Sequence, residues 1–194
     1  MLAGRPGTGK TTLTLQMLDG LRQRCLYVTG EETREHVEAM ARRVGSLSDR
    51  IYVLAEQRLE EILAQAQSMH AQALAIDTIQ MLRCAHVRGR PGLPAQIRGC
   101  MARLIDYAGT TGTTLWFVGH LTAGGDVASP ITIVHSVDVV LRLDKEYEEW
   151  ILRVDKNRFG PVNVVERLKL TAEGFVEVDE EASATIEIPH GASA

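Results

Sequence analysis

The residues best suited to chemistry lie near the start of the chain, where glycines, a lysine and threonines follow one another. The pattern G-x-x-x-x-G-K-[ST], from Gly4 to Thr11, is typical of a loop that binds nucleotide phosphates. Glycines let backbone N–H groups face phosphate oxygens, the lysine reaches the terminal phosphates, and the Thr11 hydroxyl ligates Mg²⁺. The predicted nucleotide-binding residues are Gly4, Arg5, Pro6, Gly7, Thr8, Gly9, Lys10, Thr11 and Thr12. A glycine-rich loop without a nucleotide is the alternative.

Carboxylates that could serve the same site follow two predicted strands. Asp77 ends the apolar run Leu74-Ala75-Ile76, and an acid at the carboxyl end of a parallel strand can support Mg²⁺ beside a phosphate loop. Glu31 and Glu32 follow Val28-Thr29-Gly30, so either can polarise an attacking water. Glu31 is the predicted base and Glu32 is the second candidate. Taken singly, these residues could also be a helix-capping aspartate and solvated acids.

Two polar residues are placed to sense the terminal phosphate by hydrogen bonding. His120 follows the apolar strand Leu115–Gly119, and Gln80 lies just after the strand that ends in Asp77. A histidine with a purely structural role is the alternative for His120.

The elements that position these residues alternate between apolar runs and segments of helical period. This alternation is typical of an α/β fold with a mostly parallel central sheet flanked by helices. Strands are predicted at Cys25–Thr29, Ile51–Leu54, Leu74–Asp77 and Thr114–Gly119. Helices are predicted at Thr12–Arg24, Thr33–Val44, Leu59–Ala71 and Pro94–Thr110. From Val137 onward the pattern favours a C-terminal antiparallel extension, with strands at Val139–Leu143, Trp150–Asp155, Val164–Leu170 and Phe175–Val178.

The two ends of the sequence carry separate expectations. Only Met1, Leu2 and Ala3 precede the glycine-rich loop, where about five or six strand residues are typical. We therefore expect either a truncated start or a very short first strand, and a weakened sheet centre. At the other end, residues 179–194 are predicted to be an acidic, flexible tail. Residues 1–178 are predicted to form one nucleotide-binding core.

Composition fits one globular domain with a hydrophobic core, since the 194 residues are 45% hydrophobic and 24% charged. No stretch approaches the roughly 18 apolar residues that span a bilayer, and no secretory signal precedes the loop, so we expect a cytoplasmic protein. Cys25, Cys84 and Cys100 form no C-x-x-C pair, which argues against a disulfide framework or a zinc ribbon. The net charge of −4 includes six acids and no lysine or arginine in residues 172–194, so it does not decide about nucleic acid.

Five motifs make the chain resemble the ATPase core of the RadA/Sms family, which are RecA-like motors of bacterial DNA recombination and repair. In chain order they are Gly4–Thr11, Tyr27–Glu32, Ile76–Gln80, Val118–Thr122 and Lys156–Gly160. The last, Lys-Asn-Arg-Phe-Gly, is the signature of the family, and the matching order covers roughly residues 1 to 178. The resemblance implies a RecA-like P-loop NTPase fold and an ATP-driven ring, usually a hexamer, that acts on single-stranded DNA.

The resemblance also assigns roles to two basic residues. Lys156 and Arg158 would reach across a subunit boundary to the γ-phosphate held by a neighbour. A basic turn between two strands is the alternative. The family usually carries a four-cysteine zinc module before this core and a Lon-protease-like domain after it, and the sequence contains neither. Ala123 stands where the family usually has a lysine.

In RecA-like rings, the loops corresponding to residues 81–95 and 121–130 line the channel, so these are the candidate DNA-binding loops. From Met81 to Arg103 there are five arginines, together with His86, and no acid. The predicted DNA-binding residues are Arg83, Arg88, Arg90 and Arg98. Without an aromatic residue, this stretch should show weak sequence preference. The second loop, around Gly124–Val127, carries no positive charge. A solvated basic loop and helix face would explain the same arginines without DNA.

Two hypotheses of different classes follow. The first is a Mg²⁺-dependent ATPase that is oligomeric and acts on DNA. A KaiC-like or replicative-helicase-like core is a near alternative within that class, which the Lys156–Gly160 signature disfavours. The second is a nucleotide-binding regulatory or assembly module with little turnover, motivated by the short first strand and by Ala123. Dependence of turnover on Glu31 separates the two hypotheses.

Overall fold

The computed structural model describes residues 1–45, 48–121 and 131–178. The strands are β1 (Leu2–Gly4), β2 (Cys25–Thr29), β3 (Ile51–Ala55), β4 (Ala73–Asp77), β5 (Thr114–His120), β6 (Val139–Glu146), β7 (Glu149–Asn157), β8 (Val165–Thr171) and β9 (Gly174–Glu177). The α-helices are α1 (Lys10–Gly20), α2 (Arg34–Arg43), α3 (Leu59–Ser68), α4 (Pro94–Thr111) and α5 (Ile131–Ser136). A 3₁₀ turn covers Ile79–Met81.

The strands of the described residues form one sheet in the order β3-β2-β4-β5-β1-β6-β7-β8-β9. Pairing is parallel from β3 across to β6 and antiparallel from β6 to β9. The predicted α/β fold, with a mostly parallel sheet and a C-terminal antiparallel extension, is therefore confirmed. Parallel strands bring their carboxyl ends to one edge, which is where ligands bind in sheets of this kind.

Strand β1 is short but lies between two partners. Leu2 pairs in parallel register with Val118 on one side and with Leu141 on the other. All three residues of β1 are buried, and Leu2 is fully inaccessible to solvent. Strand β1 thus has three residues, fewer than is typical, and its pairing on both sides holds the glycine-rich loop against the middle of the sheet.

Hydrophobic residues cover both faces of the parallel sheet. One face packs against α3, α4 and α5, in a cluster that includes Ile62, Leu74 and Leu104. The opposite face packs against α1 and α2, and the cluster there continues through Trp116 to the antiparallel strands. The Trp116 indole N–H donates to Thr14 Oγ1 of α1 at 3.2 Å. This packing fixes α1, and with it the glycine-rich loop, relative to the strand ends.

The structure differs from the sequence predictions in a few elements. Helix α1 ends at Gly20 rather than Arg24, because the chain turns there and Arg22 adopts a left-handed φ of 53°. Helix α3 ends at Ser68, and His70 likewise has a φ of 50°. Helix α5 and the 3₁₀ turn were not predicted, since six and three residues are too few for a periodic pattern.

Several predictions lie outside the part of the chain that the structure describes. They concern the candidate DNA-binding loop beyond Leu121, including Ala123, and the acidic segment 179–194. Among the described residues, none of the helices has both the length and the apolar character needed to cross a membrane.

Candidate functional site

A cavity of about 330 Å³ opens at the carboxyl edge of the parallel strands. The predicted residues that line it are Pro6, Gly7, Gly9, Lys10, Thr11, Thr12, Glu31, Glu32, Asp77 and His120. Two further lining residues, Thr29 and Met40, were not predicted. The structure thus gathers side chains from β2, β4, β5 and α1 around one space, although they are far apart in sequence.

The glycine-rich loop between β1 and α1 is shaped by backbone conformations that favour glycine. Gly9, at the amino end of α1, has a φ of 87°. A Cβ atom on Gly9 would lie 2.8 Å from the Phe175 ring, so the loop also packs closely against β9. The Thr8 hydroxyl donates to Arg5 O at 2.9 Å and closes the turn from within. These contacts hold the loop at the positive end of α1, where anions are favoured.

The Lys10 ammonium group lies over this loop. Its Nζ donates to Arg5 O at 2.9 Å, and the side chain is buried. Burial lowers the pKa of Lys10, and the negative charges of Asp77 and Glu31 oppose that shift. A phosphate group bound by the loop would supply the additional negative charge that a buried ammonium lacks.

Asp77 is held by two hydroxyl groups on the same carboxylate oxygen. Thr11 Oγ1 donates to Asp77 Oδ2 at 2.9 Å, and the Tyr27 hydroxyl donates to it at 2.5 Å. Mg²⁺ in nucleotide sites is bound by one or two carboxylates or hydroxyls together with phosphate oxygens. The adjacent Thr11 and Asp77 oxygens fit that donor set. No cluster of three or more His, Cys, Asp or Glu suited to a metal occurs in the described part of the chain.

Tyr27 was not predicted as a site residue, although it belongs to a motif that was. Its side chain is almost fully buried in β2. Burial raises the pKa of the Tyr27 phenol well above its usual value, and the neighbouring Asp77 carboxylate raises it further. The phenol therefore stays protonated and acts as a permanent hydrogen-bond donor to Asp77.

The two adjacent glutamates have different surroundings. Glu31 Oε1 accepts a hydrogen bond from Thr78 Oγ1 at 3.1 Å and lies 3.4 Å from His120 Nε2. Glu32 Oε2 lies 3.7 Å from His36 Nδ1 of α2 and has no hydrogen-bond partner within the described residues. Burial raises the pKa of Glu32, and His36 opposes that shift. Glu31 is thus anchored at the ends of β4 and β5, whereas Glu32 faces α2.

Of the predicted nucleotide-binding residues, Gly4, Arg5 and Thr8 do not line this cavity. The predicted sensor Gln80 and the basic residues Lys156 and Arg158 also lie outside it. Gln80 is in the 3₁₀ turn that follows Asp77 and does not line the space. Lys156 Nζ donates to Val134 O, His135 O and Val137 O, and so stabilises the end of α5. Arg158 forms an ion pair with Asp138 at 3.0 Å. In this chain, the two basic residues of the signature motif therefore contact α5 and the residues after it.

The predicted DNA-binding arginines lie on a segment in which the buried side chain of Gln96 holds the backbone from Cys84 to Gly89. This buried side chain accepts from Cys84 N at 2.8 Å. Its Nε2 also donates to Cys84 O, Val87 O and Gly89 O, at 3.3, 2.6 and 3.1 Å. Gly99 of α4 leaves room for the neighbouring chain, since a Cβ there would lie 2.5 Å from Val87 Cγ2. The segment is therefore well organised, which the sequence prediction of a plain loop missed.

The charges of this basic segment, residues 81–103, are exposed. Within the described residues, none of its arginines forms an ion pair; they are Arg83, Arg88, Arg90, Arg98 and Arg103. In the antiparallel extension, by contrast, each arginine contacts a carboxylate; these are Arg142, Arg153, Arg158 and Arg167. The basic segment therefore presents positive charge that the described part of the protein does not neutralise.

The fold and the cavity define a P-loop nucleotide-binding protein. A family model described as "ATPase family associated with various cellular activities (AAA)" matches residues 1–106, which include the glycine-rich loop, Glu31 and Asp77. The chain belongs to this ATPase family.

Comparison with curated proteins is more specific. The chain is 38% identical over 182 residues to the DNA repair protein RadA of Haemophilus influenzae and to that of Escherichia coli. It is 36% identical over 183 residues to RadA of Bacillus subtilis. These matches cover 92% of this chain and 40% of each relative, so the chain spans less than half the length of the RadA proteins that it matches. The resemblance to a RadA/Sms ATPase core is thereby confirmed.

Proposed function

We propose that the chain binds ATP with Mg²⁺ and hydrolyses it, as the RecA-like motor core of a DNA repair and recombination protein. The observation that carries this proposal is the convergence of Lys10, Thr11, Asp77 and Glu31 around one cavity at the carboxyl edge of the sheet. Together they supply the three parts that phosphoryl transfer requires: Lys10 for phosphate binding, Thr11 and Asp77 for metal binding, and Glu31 for orientation of water.

The proposed roles follow from the contacts in the cavity. The backbone N–H groups of the loop and the Lys10 ammonium bind the phosphates, because both present positive charge to the same space. Thr11 and Asp77 would hold Mg²⁺, which supplies neutralisation of the phosphate charge. Glu31 orients the attacking water and accepts its proton as the water oxygen bonds to the γ-phosphorus. The bond from that phosphorus to the β–γ bridging oxygen breaks, and ADP is the leaving group. Glu32 is the weaker candidate because its carboxylate faces His36.

Two residues are proposed as sensors of the terminal phosphate. His120 lines the cavity, and its Nε2 lies 3.4 Å from Glu31 Oε1. A change in the position of Glu31 after the γ-phosphate is lost would therefore alter this contact with His120. Gln80 is proposed to act from the 3₁₀ turn, which connects Asp77 to the basic segment.

Single-stranded DNA is the proposed polyanion that the basic segment binds. The arginines of the segment are exposed and form no ion pair with the described residues, and Gln96 fixes the backbone near them. Both observations support this choice, because phosphate contacts need accessible positive charge rather than base-specific groups. The names of the RadA relatives, as DNA repair proteins, support the same choice.

We also propose a homo-oligomeric ring, with six subunits expected, acting in the cytoplasm without a membrane. Two side chains on the turn after β7 support an intersubunit role. Arg158 is 56% exposed and Phe159 is 81% exposed. Of the two signature basic residues, Arg158 is better suited to contact a neighbour's γ-phosphate, because Lys156 Nζ already has three carbonyl acceptors in its own subunit.

The test is ATP hydrolysis by purified protein, with and without Mg²⁺ and with and without single-stranded DNA, beside a Lys10→Ala control. We expect hydrolysis that needs Mg²⁺, rises with DNA and is lost in the control. Hydrolysis that DNA does not change would refute the DNA-dependent part. Tight ATP binding without turnover would favour the regulatory module instead.

A further inference from the structure

We propose that Thr78 is a positioning residue that aims the Glu31 carboxylate at the attacking water. This inference rests on the proposed hydrolysis of ATP and adds to it a residue that lies in the motif Ile76–Gln80 but received no role from the sequence. Thr78 directly follows Asp77, the proposed metal ligand, but its hydroxyl contacts the proposed base instead: Thr78 Oγ1 donates to Glu31 Oε1 at 3.1 Å.

The donor is fixed in place by its surroundings. Thr78 is 1% exposed, and the next residue, Ile79, is fully buried in the core on the α3 and α4 face. Thr78 O accepts from Met81 N at 3.1 Å and so closes the 3₁₀ turn. Because both the backbone and the side chain of Thr78 are held by the fold, its hydroxyl is a rigid point from which to orient another group.

The side chain of the acceptor, Glu31, is restrained only weakly apart from this hydrogen bond. Glu31 lies between β2 and α2, and its side chain is 43% exposed. The backbone just before Glu31 is fixed. Gly30 N donates to Asp77 O at 2.9 Å, and Gly30 packs so closely on Met81 that a Cβ on Gly30 would lie 2.5 Å from Met81 Cβ. The rotamer of Glu31 is therefore set by Thr78 and by the longer contact with His120.

The arrangement also leaves the base able to work. The Thr78 hydrogen bond occupies one carboxylate oxygen, Oε1, and leaves Oε2 to accept a proton from water. Without the bond, the carboxylate would be free to rotate toward solvent, and a displacement of about 1 Å can cost about 100-fold in rate. We therefore expect loss of the Thr78 hydroxyl to lower kcat rather than to weaken nucleotide binding.

The experiment compares Thr78→Val, which has nearly the same shape, with Thr78→Ser, which keeps the hydroxyl. Each is made in the natural chain and in the Glu31→Gln background. Thr113→Val is the matched control, because Thr113 is also a buried threonine, and its hydroxyl donates to Ala71 O at 3.0 Å on the opposite edge of the sheet. Single-turnover hydrolysis and binding of a fluorescent ATP analogue are measured for each variant.

We expect Thr78→Val to lower kcat by about 10- to 100-fold with the affinity for the ATP analogue within about twofold. Thr78→Ser should recover most of the rate, Thr113→Val should keep it, and Thr78→Val should add nothing in the Glu31→Gln background. An undiminished rate in Thr78→Val would overturn the proposal, as would a further loss in the Glu31→Gln background or an equal loss of nucleotide affinity. Failure of the proposed function would look different: the natural chain would not hydrolyse ATP, or Glu31→Gln would match it, and the role of Thr78 would fall with it.

Discussion

The nucleotide cavity and the basic segment differ in whether their charged side chains have partners within the described residues. In the cavity, two carboxylates have specific hydrogen-bond donors: Asp77 accepts from Thr11 and Tyr27, and Glu31 accepts from Thr78. In the basic segment, Gln96 fixes the backbone while the guanidinium groups have no ion-pair partner among the described residues. The difference teaches what each task needs. Phosphoryl transfer depends on atoms held in place, whereas binding a polyanion depends on available charge along a path.

The largest expected effect comes from removing the cation of the cavity. Lys10→Ala should lower single-turnover ATP hydrolysis by about 100- to 1,000-fold, because the transferred phosphoryl group would lose a preorganised positive charge. Binding of single-stranded DNA in the absence of nucleotide should change by less than about twofold, since Lys10 is buried at the cavity and not in the basic segment. Fluorescence anisotropy of labelled DNA measures the second quantity. An equal loss of ATP hydrolysis and of single-stranded DNA binding would contradict the assignment of these two activities to separate regions.

Tyr27 tests whether the cavity depends on its buried hydrogen bonds. Tyr27→Phe removes the donor to Asp77 and leaves the ring packed in β2. We expect the Mg²⁺ concentration for half-maximal hydrolysis to rise about tenfold, because groups that orient metal ligands commonly contribute 10- to 100-fold in metal affinity. Mn²⁺ binding in the presence of ATP, followed by electron paramagnetic resonance, gives a readout independent of turnover. Unchanged metal affinity would show that Asp77 needs no such support.

Gln96 tests the fixed backbone of the basic segment. Gln96→Leu leaves buried Cys84 N and its neighbouring carbonyls without their partner, so the free energy of unfolding should fall by about 2–4 kcal/mol. Chemical denaturation measures this change. Gln72→Leu is the control, because Gln72 is exposed and its side-chain oxygen Oε1 accepts one hydrogen bond, from Arg24 N at 3.3 Å. Equal stability of Gln96→Leu and the natural chain would mean that the segment does not depend on this residue.

The smallest expected effect is the loss of affinity for single-stranded DNA, measured at one salt concentration, when exposed arginines of the basic segment are replaced. Arg88→Ser with Arg90→Ser should weaken single-stranded DNA binding several-fold and reduce the salt dependence by about 1.4 in log–log slope, since each phosphate contact contributes about 0.7. ATP hydrolysis without DNA should stay as in the natural chain. Replacing Arg153 and Arg167 is the matched control, because both are exposed but paired with glutamates. The same loss of DNA binding in that control would show that unpaired charge is not what matters.

The sequence predicts the parts of this site that depend on local spacing. The glycine-rich loop, Asp77 at the end of β4 and Glu31 after β2 belong to short motifs from which their proposed roles can be predicted, and the parallel sheet brings them together. Tyr27 and Thr78 could not be assigned in this way. Their hydroxyls act on carboxylates 50 and 47 residues away, and those contacts exist only once β2 and β4 are paired.

The same limit applies to the basic segment. Its positive charge can be predicted from the sequence, because residues 81–103 contain five arginines and no acidic residue. The fixed conformation of its backbone depends on a buried glutamine, Gln96. Glutamine is usually an exposed residue, so Gln96 gives no signal in the sequence. Its four hydrogen bonds to the segment follow from the packing of the start of α4 against Cys84 and Val87.

The central claim is that one anchored glutamate, Glu31, is the base of an ATPase. The most direct measurement compares single-turnover hydrolysis and nucleotide binding by Glu31→Gln and Glu32→Gln. We predict that Glu31→Gln binds ATP with Mg²⁺ as the natural chain does but hydrolyses it at least about 100-fold more slowly, whereas Glu32→Gln stays within about fivefold. Full activity of Glu31→Gln, or loss of activity confined to Glu32→Gln, would contradict the account.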